Sequence, residues 1–222
     1  MAQLANMHAP RALHEQRAFF AILGGCVDQA RRLAETGDGF EAYAALMQAL
    51  AAHAQNRRNL PLAQRYFEAF ARHCEAHGKE SFGAGAYHQL GRVAQERRDF
   101  EAAEGWCRKS LEINERLGNE HDAASTYHLL GRVAEERRDF EAAEGWYRKS
   151  LEITERLGDE HAALTYHKLG NLAQERRDFE AAEGWYRKSL EITERLRIEH
   201  YAAVTRGRLQ RLNEERRRGP AD

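Results

Sequence analysis

Apolar positions between residues 120 and 157 fall into two stripes. Tyr127, Leu130 and Ala134 recur at i, i+3 and i+7; Phe140, Ala143, Tyr147 and Leu151 recur at i, i+3, i+7 and i+11. Each set occupies one face of a helix and of no strand. The pattern therefore predicts two amphipathic helices of about four to five turns each. Arg137-Arg138-Asp139 separates them. Two arginines set cations against the negative end of the first helix, and Asp139 is placed to cap the second, with Glu141 in its first turn. Gly118 and Gly158 follow the second helix of their units, where a left-handed stop is common.

The same pair of stripes recurs. ERRDFEAAEGWYRKSLEITERL stands at 136–157 and again, unchanged, at 175–196; the copy at 96–117 differs only in Cys107 and Asn114. Phe100, Phe140 and Phe179 set the period at 40 and 39 residues. A worn copy at 56–70 puts Leu60 in the phenylalanine's place, and a weaker echo around 17–32 puts Phe20 there. One hairpin cannot bury both of its stripes. Stacked copies can, and Gly131, Ala134 and Ala143 let the helices approach closely. The expected units are a helical cap or degenerate half-repeat over 1–38, a degenerate repeat over 39–79, repeats over 80–119, 120–158 and 159–198, and a capping helix with tail over 199–222. The expected fold is all-α, a solenoid of antiparallel helix hairpins.

Composition narrows the function. The 222 residues are 42% apolar and 31% charged, and a mean hydropathy of -0.78 suits units that each keep a wet face. Thirty-four basic against 35 acidic residues leave a formal charge of -1, without the basic excess of a nucleic-acid or anionic-membrane binder. Cys26, Cys74 and Cys107 share no metal-binding spacing and, with no apolar run of membrane length, point to a cytoplasmic protein. No H-E-x-x-H, phosphate-cradling glycine loop or nucleophile elbow occurs, so neither catalysis nor a cofactor is expected.

Tyr127, Leu130-Gly131, Ala134, Phe140, Ala143, Tyr147 and Ser150, with Tyr87, Leu90-Gly91, Phe100 and Ala103 before them and Tyr166, Leu169-Gly170, Phe179, Ala182 and Tyr186 after them, resemble the tetratricopeptide repeat. The resemblance spans about residues 40–217. It is to the long variant of kinesin light chains and the Pins/LGN scaffolds; the proline that usually ends the second helix is missing here, with Glu155 near that place. It implies a right-handed superhelix that binds a protein or peptide along a concave groove lined by first helices. Residues 202–218 depart from it. Leu209 and Leu212 keep an inner apolar edge, but Arg206 replaces the aromatic and Gly207 the histidine, which predicts a cap with a charged outer face.

The resemblance makes His88, Arg92 and Gln95, then His128, Arg132 and Glu135, then His167, Asn171 and Gln174 the expected partner-binding residues. Gln48, Ala52 and Gln55 match them in the degenerate repeat. The two strongest copies agree throughout the second helix and differ on the first, at Leu129/Lys168, Arg132/Asn171, Val133/Leu172 and Glu135/Gln174. That divergence suits an asymmetric ligand. Histidines 88, 128 and 167 form a ladder, but rungs on packed helices roughly 8–10 Å apart do not converge on one zinc ion. They read as polar groove contacts, whose affinity for an acidic partner should rise as pH falls through about 6.5. His121, His161 and His200 read as surface or capping residues, Trp106, Trp146 and Trp185 as core, and Cys107 as a buried, inert thiol. The lysine and asparagine set of a carboxylate clamp is absent apart from Asn171, which disfavours a heat-shock co-chaperone. Self-assembly into homo-oligomers through near-identical repeats is the alternative to an adaptor.

Overall fold

The structure, a computed structural model, describes residues 39–218; the expected cap over 1–38, with Phe20 and Cys26, lies outside the described residues, as do 219–222. Among the described residues the elements are α1 (Phe40–Asn56), α2 (Leu60–Ala76), α3 (Glu80–Glu96), α4 (Phe100–Leu117), α5 (Glu120–Glu136), α6 (Phe140–Leu157), α7 (His161–Glu175), α8 (Phe179–Arg195) and α9 (Glu199–Arg218). The chain divides into two compact units, one up to Ser110 and the other from Leu111.

The helix starts follow the sequence. Asp139 Oδ1 accepts from the Ala142 N–H at 3.1 Å and Asp178 Oδ1 from that of Ala181 at 3.0 Å. Such a cap is worth about 1 kcal/mol. Second helices end as expected on left-handed glycines, Gly118 and Gly158, with φ of 69° and 65°. First helices end in an unexpected way. Arg137 is the C-cap, and Arg138 takes up φ of 61° while the Asp139 N–H bonds Ala134 O at 2.9 Å. The second arginine of each pair therefore fills the left-handed position of a Schellman turn, as Arg58, Arg98 and Arg177 also do. A side chain in that conformation costs about 1 kcal/mol. Dipole complementarity explains only part of the doublet.

In the unit from Leu111, α5 packs on α6, α6 on α7, α7 on α8 and α8 on α9. The core joins Ala134, Ala143, Tyr147, Leu151, Ala162, Tyr166, Leu169 and Leu172, flanked by Phe140, Trp146 and Trp185. Both stripes read from the sequence thus face one another. Burying a leucine such as Leu130, 2% exposed, contributes roughly 1.5–3 kcal/mol. Gly131 lies directly against the Tyr147 ring, where a Cβ would stand 2.5 Å from Cδ1 and Cε1; Gly170 bears the same relation to Tyr186 at 2.6 Å. In the unit up to Ser110, α1 packs on α2 and α2 on α3, around Leu46, Met47, Leu50, Phe67 and Phe70. There His73 stands where the later repeats have Ile113, Ile153 and Ile192, stacked on Phe40 at 5.5 Å and tilted on Tyr43 at 4.3 Å.

Helix α9 buries Leu212 with Leu209 beside it against Ala182 and Tyr186, the expected inner edge. Its outer face is charged at Arg206, Arg211, Glu214 and Arg217 and apolar in the first two turns. Tyr201 and Val204 are 49% and 43% exposed, because they hold the register that a further repeat would cover.

Candidate functional site

The first-helix histidines are joined to the fold. In the second unit His128 Nδ1 lies 3.1 Å from Thr165 Oγ1 on α7, and His167 Nδ1 lies 3.1 Å from Thr205 Oγ1 on α9. The Thr165 hydroxyl donates to His161 O at 3.3 Å, so its oxygen accepts from the His128 ring N–H. Each imidazole also leans on a second-helix tyrosine, His128 on Tyr147 at 5.1 Å and His167 on Tyr186 at 5.4 Å between ring centres. Burial, aided by Arg208 and Lys168, pulls the His167 pKa down to about 4. This imidazole is neutral at physiological pH. The expected strengthening toward an acidic partner below about 6.5 is therefore corrected for His167: its ring is occupied by threonine and resists protonation.

The polar residues one and two turns further on are also partly engaged. The Tyr147 hydroxyl donates to Glu135 Oε2 at 2.7 Å, and Lys168 Nζ reaches the same oxygen at 3.1 Å. The Tyr186 hydroxyl lies 2.8 Å from Asn171 Oδ1 and 2.9 Å from Gln174 Oε1. Burial and the neighbouring Glu135 raise the Tyr147 phenol well above its usual range. Gln174 Nε2 donates to Glu215 on α9 at 2.9 Å, and in the first unit Gln55 Nε2 donates to Glu96 at 3.2 Å, the same link at the same register. Gln95 is 3% exposed and departs from the expected groove lining; its repeat has the small Cys107 where the others have Tyr147 and Tyr186. Leu129 is buried, whereas Lys168 at its register spans to α5.

What the first-helix face leaves open is clearest within each unit. In the first, Gln48, Ala52, Gln55, Gln89, Arg92 and Glu96 line a groove of about 590 Å³ with Phe67 and Phe70 beneath. It holds Arg92 of the expected site, while His88 is half-buried. In the second, half-buried Arg132 acts on Tyr147, and Arg208 and Arg211 act on Tyr186. Arg208 Nε is buried without a hydrogen-bond partner. Glu135 and Glu136 act on Tyr147 as well, and Glu175 and Glu215 on Tyr186, so both signs of charge surround the two rings.

The tryptophans are half-buried rather than fully core. Trp106, Trp146 and Trp185 stack on Tyr87, Tyr127 and Tyr166 at 5.6–5.8 Å, and Lys109, Lys149 and Lys188 cover them at 4.8–5.3 Å. The three tyrosine hydroxyls donate to Glu75, Glu115 and Glu155 of the preceding second helix. Burial and these carboxylates push Tyr87 and Tyr127 up to about 12. Arg206 makes the equivalent bond to Glu194 at 2.9 Å, which accounts for the lost aromatic on α9. Sequence reasoning missed these glutamates and the threonines. Their signal was present, since Thr126, Thr165 and Thr205 keep one register, as do Glu75, Glu115, Glu155 and Glu194.

The tetratricopeptide repeat model matches residues 83–156 and, overlapping them, 143–195. No curated protein matches the chain. Among solved structures it is similar to BtubC (BKLC) from P. vanneervenii, at 20% identity over 96% of this chain and 95% of that one, with a TM-score of 0.70. It is also similar to the apo form of RapI, at 18% identity over 82% of this chain and 68% of that one, TM-score 0.70. A third is a signal transduction ATPase with numerous domains from Pyrococcus horikoshii that has a tetratricopeptide repeat sensor, at 16% identity over 86% of this chain and 30% of that one, TM-score 0.66. Such identities speak for the fold, an all-α helical-repeat solenoid. With its paired helices, glycine–tyrosine contacts and matched repeats, the chain belongs to the tetratricopeptide repeat family.

Proposed function

We propose that the protein is a non-catalytic adaptor that holds an extended segment of a partner protein on its first-helix face. The groove between α1 and α3 carries this reading. Its glutamines present both donors and acceptors, the complement of an extended backbone, above an aromatic floor. Arg92, which lines this groove, and half-buried Arg132 on the second unit offer guanidiniums to a segment bearing carboxylates. Buried thiols at Cys74 and Cys107 fit a reducing cytoplasm, and among the described residues no helix is long and apolar enough to cross a membrane.

The test is selection of a random peptide display library on the full chain, followed by affinity measurement on Arg92→Glu and Arg132→Glu chains. Selected peptides should be rich in Asp and Glu and should lose at least about tenfold affinity on one or both variants. Peptides that bind both variants as tightly as the native chain would remove the site from this face.

A second reading, self-assembly, has one observation behind it. Leu164, Ile198, Tyr201 and Val204 line a largely apolar cavity of about 340 Å³ between α7 and α9. Light scattering across concentration decides it: an adaptor stays monomeric, whereas assembly through this patch gives a mass that rises with concentration and falls back in Tyr201→Lys.

A further inference from the structure

Away from the first-helix face, one repeat junction gathers two imidazoles around a carboxylate. His121 stands in the first turn of α5, Asp159 between α6 and α7, and His161 at the start of α7. Asp159 uses both oxygens: Oδ1 lies 2.6 Å from His161 Nδ1, and Oδ2 lies 3.1 Å from His121 Nε2. The two rings meet edge to face, 5.7 Å apart. One ligand atom from each residue falls within 4.8 Å of the others. The carboxylate is held in place, with a side chain 11% exposed and Oδ1 accepting the His161 backbone N–H at 2.9 Å. The imidazoles are 59% and 55% exposed, open to an ion from solvent.

We infer that His121, Asp159 and His161 bind a divalent transition-metal ion of the zinc type, clipping the start of α5 to the start of α7. Two imidazole nitrogens and a carboxylate oxygen are a donor set that zinc takes in three-ligand sites, leaving a fourth position for water. They are a poor set for calcium or magnesium, which prefer oxygen throughout. Ligand atoms about 2.0–2.2 Å from a tetrahedral ion stand roughly 3.3–3.5 Å apart. In the structure the imidazoles stand 2.6 and 3.1 Å from Asp159 and all three ligand atoms lie within 4.8 Å of one another, so the two exposed rings reach that spacing by turning about their side-chain bonds. Each neutral ring then keeps its proton on the other nitrogen, His121 on Nδ1 and His161 on Nε2, and the ion replaces the two N–H bridges to Asp159. Asp122 Oδ1 already lies 3.6 Å from His121 Nδ1, on the side where an outer carboxylate steadies a metal-bound histidine.

Capping alone does not account for the group. Asp159 and the His161 N–H suffice to start α7, yet His121 comes from a different helix, one repeat earlier. The matching junction before it has Ser81, Asn119 and His121, and the one after it has His161, Ile198 and His200, without the carboxylate. Among the described residues only this junction has the complete set. The sequence reading, which expected no metal, left His121 and His161 as surface or capping residues because their convergence depends on the fold of the 158–160 turn.

Titration calorimetry of the full chain with Zn²⁺, and visible absorption with Co²⁺ as the probe, test the inference. The variants are His121→Ala, Asp159→Asn and His161→Ala, with His200→Ala as control; Asn retains the helix cap, so Asp159→Asn keeps the fold. The native chain and the control should hold one ion that each ligand variant binds at least about tenfold more weakly. That ion should give the absorption bands of tetrahedral cobalt and raise the thermal midpoint of the native chain but not of the variants. If Zn²⁺ does not bind the native chain, or binds the three variants as tightly as His200→Ala, the inference is wrong.

Discussion

Gly131 and Gly145 sit in adjacent helices of one hairpin, and replacing each with alanine should move stability in opposite directions. Alanine gains about 1 kcal/mol over glycine in a helix interior, and at Gly145 nothing lies within 4 Å of the added Cβ. Gly145→Ala should therefore stabilise the chain by about 1 kcal/mol. At Gly131 the Cβ would stand 2.5 Å from two carbons of the Tyr147 ring, against a comfortable separation of roughly 3.5–4.0 Å. The ring must recoil by about 1 Å, but it is fully buried and its hydroxyl is bonded to Glu135 at 2.7 Å. Overpacking of this kind costs about 1–3 kcal/mol, so after the helix gain Gly131→Ala should be up to about 2 kcal/mol less stable than the native chain. Urea denaturation followed by circular dichroism measures both. A third chain locates the cause. With Tyr147→Cys, the residue of the 80–119 repeat, Gly131→Ala should instead show the helix gain, a coupling of about 1–3 kcal/mol between the two sites. If Gly131→Ala raises the midpoint as Gly145→Ala does, the glycine–tyrosine contact does not hold the hairpin together as described.

Three further outcomes follow from particular positions. Arg197 holds φ of 57° where Gly78, Gly118 and Gly158 stand in the other second helices, so Arg197→Gly should stabilise by about 1 kcal/mol in the same assay; a loss would contradict the strain argument. His167 titrates near 4 in the fold and near 6.5 when unfolded, so between these values the unfolded chain binds more protons. Its contribution to stability is present above about 6.5 and is lost as pH falls toward about 4; His167→Asn should flatten that part of the profile, and an unchanged slope would assign it elsewhere. Burial pushes the Cys74 and Cys107 thiols up to about 12, so a Cys26→Ser chain should resist a thiol reagent at neutral pH until urea unfolds it. Rapid labelling of the folded chain would show one of those thiols to be accessible.

The fold was legible because its information is local and repeated. Stripes at helical spacing, the Asp139 cap and the Gly158 stop each involve residues within one turn of one another, and three near-identical copies agree. The candidate face was legible in register and less so in use. Spacing places His128 and His167 on one face, but their pairing with Thr165 and Thr205 joins residues 37 and 38 positions apart and depends on how the helices pack. Gln95 shares the register of Glu135, yet its exposure turns on a cysteine in another helix. Asp159 sits in a turn whose path no periodicity describes, which is why its two histidines went unrecognised.

A photo-reactive amino acid placed at 92 or at 132, with a third chain carrying it at the exposed 145 position of α6, tests the adaptor reading most directly. Irradiated with a display-selected acidic peptide, the chains labelled at 92 or 132 should capture the peptide and the chain labelled at 145 should not. Capture at 145 alone, or equally at all three positions, would contradict binding along the first helices.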